Sequence, residues 1–219
     1  MIIDLKEIQT YYINLPQHTE KRSSIEKILK DLKIKESQRL EGYVYPENPI
    51  AGCSRAHYHA IQSERVPFLL LEDDVFVYTD RWNEGIIEIP DDADALYLGT
   101  STWGRMNGHN GEYIQYEQVK GSPGLLRVYN MLATHAILYL SQEYAKMIKR
   151  VAHHTGYVIE NYNDVGFAEI QRYFKVYSLN EPLFAQRSNE IGTNKSITSI
   201  RHTECMSFNH LQFFPYPIK

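Results

Sequence analysis

Several features that would settle the class of this chain at once are missing. It has two cysteines, Cys53 and Cys205, too few and too far apart for a disulfide framework or a zinc spacing. Reduced thiols in a cytoplasmic setting are the expectation. No apolar run approaches the roughly 20 residues that cross a bilayer, so no membrane span is expected. The segment Met1–Glu7 is broken by charge too early for a signal peptide. Basic clustering is missing as well. The 23 Lys and Arg are dispersed among 27 Asp and Glu, for a net charge of −4, and nucleic acid is not an expected partner. There is no P-loop, no Rossmann glycine fingerprint, no G-x-S-x-G elbow, and no H-E-x-x-H among the nine histidines. Kinase, hydrolase and zinc-protease readings lose their footing there.

What the chain does have is ordinary globular composition, 43% hydrophobic and 23% charged over 219 residues. Tyrosine is in excess at 17 residues, and its apolar face and hydroxyl suit packing and sugar recognition alike. The first strand is 10–15, stopped by Pro16. Thr19 can cap a helix whose Ile25, Ile28, Leu29 and Leu32 recur at helical spacing. A short strand over 39–45 and a helix over 51–65 follow. Pro67-Phe68-Leu69-Leu70-Leu71 is apolar without alternation, the mark of a strand covered on both faces. Ala95 to Gly99 has the same character. A hairpin is expected with arms 113–119 and 125–129, turned by Gly121-Ser122-Pro123-Gly124. A strand over 133–140, a helix capped by Ser141 to about Val151, and a strand over 175–179 complete the pattern. Strands alternating with helices predict an α/β fold: one domain over 1–219, with a mostly parallel central sheet flanked by helices and a small hairpin insertion.

In such sheets ligands gather beyond the carboxyl ends of the strands. Glu72-Asp73-Asp74 stands there, directly after the apolar strand. A triplet of acids arises by chance roughly 0.4 times in a chain of this composition, so placement rather than occurrence makes it informative. Crowded carboxylates at a partly buried strand end repel, and a divalent cation with a taste for hard oxygen ligands, Mg²⁺ or Mn²⁺, relieves that. The rival cluster Asp91-Asp92-Ala93-Asp94 precedes its strand, which puts it at the opposite edge as a polar turn.

Four segments in order resemble glycosyltransferase family 25, the group of lipooligosaccharide and collagen galactosyltransferases. Tyr12-Ile13-Asn14-Leu15 with Glu20-Lys21-Arg22 is similar to its opening strand and helix. Gly52-Cys53-Ser54-Arg55-Ala56-His57 is similar to its Gly-Cys-x-x-Ser-His segment, with Ala56 in place of serine. Phe68 to Val75 carries its Leu-Glu-Asp-Asp signature, and Ala136 to Ser141 its later strand and helix start. The resemblance implies a GT-A type fold in which residues 1–100 bind the nucleotide sugar and 101–219 the acceptor. The implied activity is metal-dependent transfer of a hexose, with inversion, from a nucleoside diphosphate sugar to a glycan or other hydroxyl acceptor. A uridine diphosphate sugar is the first donor to expect.

In that scheme Asp74 coordinates the metal, with Glu72 and, from the tail, His202 as further ligands. Glu72 and Asp73 also face the donor ribose or metal-bound water. Ile13, Asn14, Leu15 and Arg22 hold the nucleotide, and His57 reaches the same crevice or packs in the core. Asp164 is the candidate base, or else a helix cap, and Trp103 offers a platform for a sugar face. Two alternatives stay open: a sugar nucleotidyltransferase, and a non-catalytic nucleotide-sugar or carbohydrate-binding module.

Overall fold

The computed structural model describes residues 1–79, 85–112 and 114–186. In chain order these form β1 (Ile2–Asp4), β2 (Thr10–Asn14), α1 (Thr19–Asp31), β3 (Ser37–Glu41), α2 (Pro49–Ala60), β4 (Phe68–Glu72), β5 (Val75–Val77), β6 (Ile86–Glu88) and β7 (Ala95–Tyr97). There follow β8 (Gly104–Met106), β9 (His109–Gly111), β10 (Tyr116–Gln118), β11 (Leu125–Val128), β12 (Ala136–Tyr139), α3 (Gln142–Tyr157), α4 (Asn163–Gln171), β13 (Val176–Leu179) and β14 (Phe184–Gln186).

The fold is α/β. Its main sheet has eight strands in the order β10-β11-β13-β7-β12-β4-β2-β3 among the described residues. Strand β4 shows why it holds together. Successive side chains of a strand point to opposite faces. Phe68 and Leu70 join a core with Tyr11, Tyr97, Ile137 and Tyr139, covered by α2, α3 and α4. Leu69 and Leu71 join a second core with Tyr12, Leu96 and Leu138, covered by Ile25 and Leu29 of α1. The four apolar side chains of β4, Phe68 to Leu71, are inaccessible to solvent, and each contributes about 1.5–3 kcal/mol by leaving water.

Sheet direction departs from expectation. The β3-β2-β4 and β7-β13 neighbours are parallel, but β12 runs antiparallel to both β4 and β7, and β11 antiparallel to both β13 and β10. The sheet is mixed rather than mostly parallel. A continuous apolar run reports burial on two faces, which a central antiparallel strand shares. Residues 129–135 bring the chain back to the carboxyl edge of β4, so β12 enters there and runs the other way. Ala136 consequently pairs with Leu71.

The helix ends follow local chemistry. In α2, Asn48 accepts a bond from the Ala51 amide at 3.1 Å, with Pro49 in the first turn, where its missing N–H costs nothing. Ser141 caps α3 through the Tyr144 amide at 3.2 Å. The N-cap of α1 is His18, without a side-chain bond, and Thr19 is already helical. The expected hairpin is β10–β11, paired antiparallel, though Tyr113 lies outside the described residues. A second hairpin, β8–β9, turns at Asn107 and Gly108, both at positive φ. Asn-Gly is the sequence mark of that turn.

One glycine is required by close approach. A Cβ on Gly99 would stand 1.9 Å from Nε2 of the buried His135 ring. Gly99→Ala is expected to lower stability by roughly 3 kcal/mol, because the ring has to leave its place. Urea unfolding checks this; a midpoint equal to that of the parent would contradict it.

Candidate functional site

The acidic turn follows β4 at the carboxyl edge of the parallel strands. The antiparallel run of β12 decides what meets it there. The residues just before β12 fall beside the end of β4: the Glu72 amide donates to the His135 carbonyl at 2.9 Å. Oε1 of Glu72 accepts from the Thr134 hydroxyl at 2.6 Å and pairs with Nε2 of His57 at 3.0 Å. Oε2 accepts from the Gln186 amide at 3.0 Å. Gln186 arrives because β14 pairs with β5, which sets it opposite Val75. Both Glu72 oxygens are therefore engaged. Burial works to raise this carboxyl, but the hydrogen bond and charge of His57 and the Thr134 hydroxyl outweigh it and hold it at about 2.

Asp73 is held otherwise. Its Oδ2 accepts from Asn14 Nδ2 at 2.7 Å, and Lys21 Nζ lies 3.5 Å from Oδ1. Asn14 is fixed by Arg39, whose Nε donates to its Oδ1 at 3.0 Å. Among the described residues Asp74 keeps the fewest partners of the three acids, with Gln186 Nε2 at 3.5 Å. Burial, then the charge on Glu72, lifts Asp74 to about 7; Lys21 pulls it down and Asp73 pushes it further up.

A cleft of about 420 Å³ opens beside this turn. Ile13, Leu15, Tyr43, Tyr45, Pro46 and Pro49 give it apolar walls, while His18, Lys21, Cys53, His57, Glu72 and Asp73 supply its polar groups. Asp74 is not on the lining; it adjoins it through Asp73 and through the Gln186 amide that it shares with Glu72. Asn14 stands behind the wall, buried, and acts through Asp73. His57 is fully buried in its helix and meets the Phe167 ring edge-on at 5.9 Å, yet it also lines the cleft.

Asp164 lies in the first turn of α4, where Tyr162 rather than an acid is the N-cap. Its Oδ1 accepts from the Val165 amide at 2.7 Å. Burial lifts its carboxyl to about 6; the Val165 amide lowers it, the charge of Glu72 raises it and His57 lowers it. Cys53 opens onto the cleft. Desolvation by the surrounding walls, then the carboxylates of Glu72, Asp164, Asp74 and Asp73, keeps its thiol well above the ordinary range. The acids thus share one electrostatic neighbourhood.

One expected residue stands elsewhere. Arg22, read as a phosphate-binding cation, donates to Glu26 at 2.8 Å and does not line the cleft; Lys21, one residue earlier and about 100° around the helix, does. His202 lies outside the described residues. Trp103 is 42% exposed, with its backbone tied to Leu132 and Ser101. The rival acids sit at the other edge, as the spacing predicts. Asp94 precedes β7 and accepts from Ser141 and from the Lys175 amide, and Asp91 pairs with the N-terminus.

Sequence reasoning passed over Thr134, Gln186, Lys21, His18 and Cys53. Only Cys53 carried a local signal, since Cys53 and His57 are four apart and share a helix face. With Glu72 they place three ligand atoms within 4.8 Å of one another. A cation there would compete with the bonds that already occupy Glu72 and His57.

No family model matches the chain, and no curated protein matches it. Among the described residues no helix is long and apolar enough to cross a membrane.

Proposed function

We propose that this chain is a metal-dependent glycosyltransferase of GT-A type, moving a hexose from a nucleoside diphosphate sugar to a hydroxyl acceptor. The observation that carries the reading is the acidic turn at the end of β4, beside an apolar-walled cleft, with Asp74 short of partners among the described residues and lifted to about 7. The similarity of four segments to glycosyltransferase family 25 supports the same reading.

The residues fit a hard divalent cation, Mg²⁺ or Mn²⁺. Asp74 is a carboxylate whose charged form is penalised by burial and by two neighbouring acids, an effect that the charge of Lys21 offsets only in part. It would hold the metal, with Asp73 next to it; Glu72, already bonded through both oxygens, positions the turn. When bound, the metal supplies charge stabilisation to the departing diphosphate. Lys21 adds positive charge for the same phosphates, and His18 offers a further ring nitrogen beside it. The apolar walls from Ile13, Leu15, Tyr43 and Tyr45 take the nucleoside and exclude water from it. Asp164 accepts the proton of the acceptor hydroxyl; a carboxyl lifted to about 6 is a better base near neutrality than an ordinary one.

The test is incubation with a panel of nucleoside diphosphate sugars and Mn²⁺, measuring nucleoside diphosphate released with and without sugar acceptors. Metal-dependent release supports the reading. Tight donor binding without turnover under any acceptor points to a binding module, and no nucleotide binding at all sinks the proposal. Asp164 adds a pH signature. Its charged form is the active one and fills as pH rises through about 6, so turnover is expected to climb across that range and level off above it. In Asp164→Asn the residual rate stays low and loses that step; an unchanged profile assigns the base elsewhere.

A further inference from the structure

Lys146, Lys149, Arg150 and His153 follow one another along α3 at offsets of three, four and seven, so they share one helix face. Together with Tyr58 and Ser63 they line a second cavity, of about 360 Å³. It lies away from the acidic turn. Tyr58 closes α2, and residues 61–67 then lead into the start of β4, whereas the carboxylates follow its end. The five residues of β4 separate the two edges by roughly 16 Å.

The charge in this cavity runs against that of the whole molecule, which is net negative. Among the described residues three permanent cations meet one acid: Glu64 pairs with Lys146 at 3.3 Å. Arg150 has no hydrogen bond or ion pair with any described residue, and its guanidinium offers a two-pronged donor. Lys149 is held ready. Its ammonium donates to the Ile61 carbonyl at 2.9 Å and lies 5.5 Å from the Tyr58 ring centroid, leaving further N–H donors for a guest. His153 meets the same ring edge-on at 5.1 Å. Like charges spaced this way on a helix repel one another, and an anion between them removes that cost.

We propose that this cavity binds a phosphomonoester dianion. Two uncompensated cations match its charge, the arginine fork and the lysine donors match its tetrahedral oxygens, and Ser63 adds a hydroxyl. The volume exceeds that of phosphate alone, so the group that bears the phosphate has room as well. The site is independent of the donor cleft and stands or falls without it.

The experiment titrates the full chain with inorganic phosphate by calorimetry. Saturable binding is expected, weakened at least about tenfold in Lys146→Gln/Arg150→Gln. Both side chains are exposed, so the variant should melt like the parent. Lys27→Gln/Lys30→Gln on α1 is the charge-matched control and should bind as the parent does. Co-sedimentation with phosphatidylcholine vesicles containing phosphatidate separates the sources. Vesicle binding that inorganic phosphate competes away assigns a lipid headgroup, and phosphate binding without vesicle binding assigns a soluble phosphomonoester. No saturable binding by the parent, or equal affinity in the Lys146/Arg150 variant, overturns the proposal.

Discussion

Asp74→Asn is expected to abolish metal-dependent turnover, by about a thousandfold, while making the metal-free protein more stable at pH 8. The first effect rests on the proposed metal site, where a charged oxygen for the cation would be lost; several kcal/mol of charge stabilisation in the transition state correspond to two or three powers of ten. The second follows from linkage. Asp74 titrates at about 7 in the folded chain, above its ordinary value of 3.8. Between those values the folded state binds the extra proton, so this group's contribution falls as pH rises and is fully lost above about 7. Asparagine stays neutral in both states and escapes that loss. At about 1.4 kcal/mol per pH unit the relief at pH 8 is on the order of 2–4 kcal/mol, a rise in Tm of roughly 4–16 °C for a chain of this size. The two proteins should converge towards pH 4. A variant that melts at the parent temperature at pH 8 would mean that Asp74 carries no electrostatic strain.

Glu72→Ala is expected to act in the opposite sense. It removes the shared acceptor of His57, Thr134 and Gln186 at once. His57 is fully buried, its Nδ1 has no hydrogen-bond partner among the described residues, and losing Glu72 would strand Nε2 too. Breaking a buried charged network by deleting one member costs about 3–5 kcal/mol, visible as a lower urea midpoint. Acid titration of the parent gives a second reading. The folded Glu72 carboxyl is held at about 2, below its ordinary 4.5. Its stabilisation is therefore complete above about 4.5 and is lost as pH falls towards 2. Glu72→Ala should show a flatter acid limb than the parent. Equal slopes would place the carboxylate outside any stabilising network.

The strand ending in Glu72-Asp73-Asp74 was legible because burial on both faces writes itself as an unbroken apolar run, and polarity then begins abruptly. Direction leaves no such trace, and β12 reads alike whichever way it points. That one reversal brings Thr134 and His135 to Glu72, so the partners of the acid were hidden with it. Lys21 and Arg22 differ by a helix rotation that an exposed first turn does not encode, since both are polar and neither interrupts the apolar stripe of Ile25 and Leu29. The Asn107-Gly108 turn, by contrast, was spelled out and passed over. Gln186 could not have been found: it is 112 residues beyond Asp74, and only the β14–β5 pairing brings it back.

That pairing has a consequence for how the molecule comes into being. All eight strands of the main sheet lie within residues 10–179, so a nascent chain can assemble its layers before β14 has left the ribosome. Until β14 docks, Glu72 and Asp74 lack the amide that bridges them. The scaffold can mature first, and the amide that completes the acidic turn comes from a short strand synthesised after it.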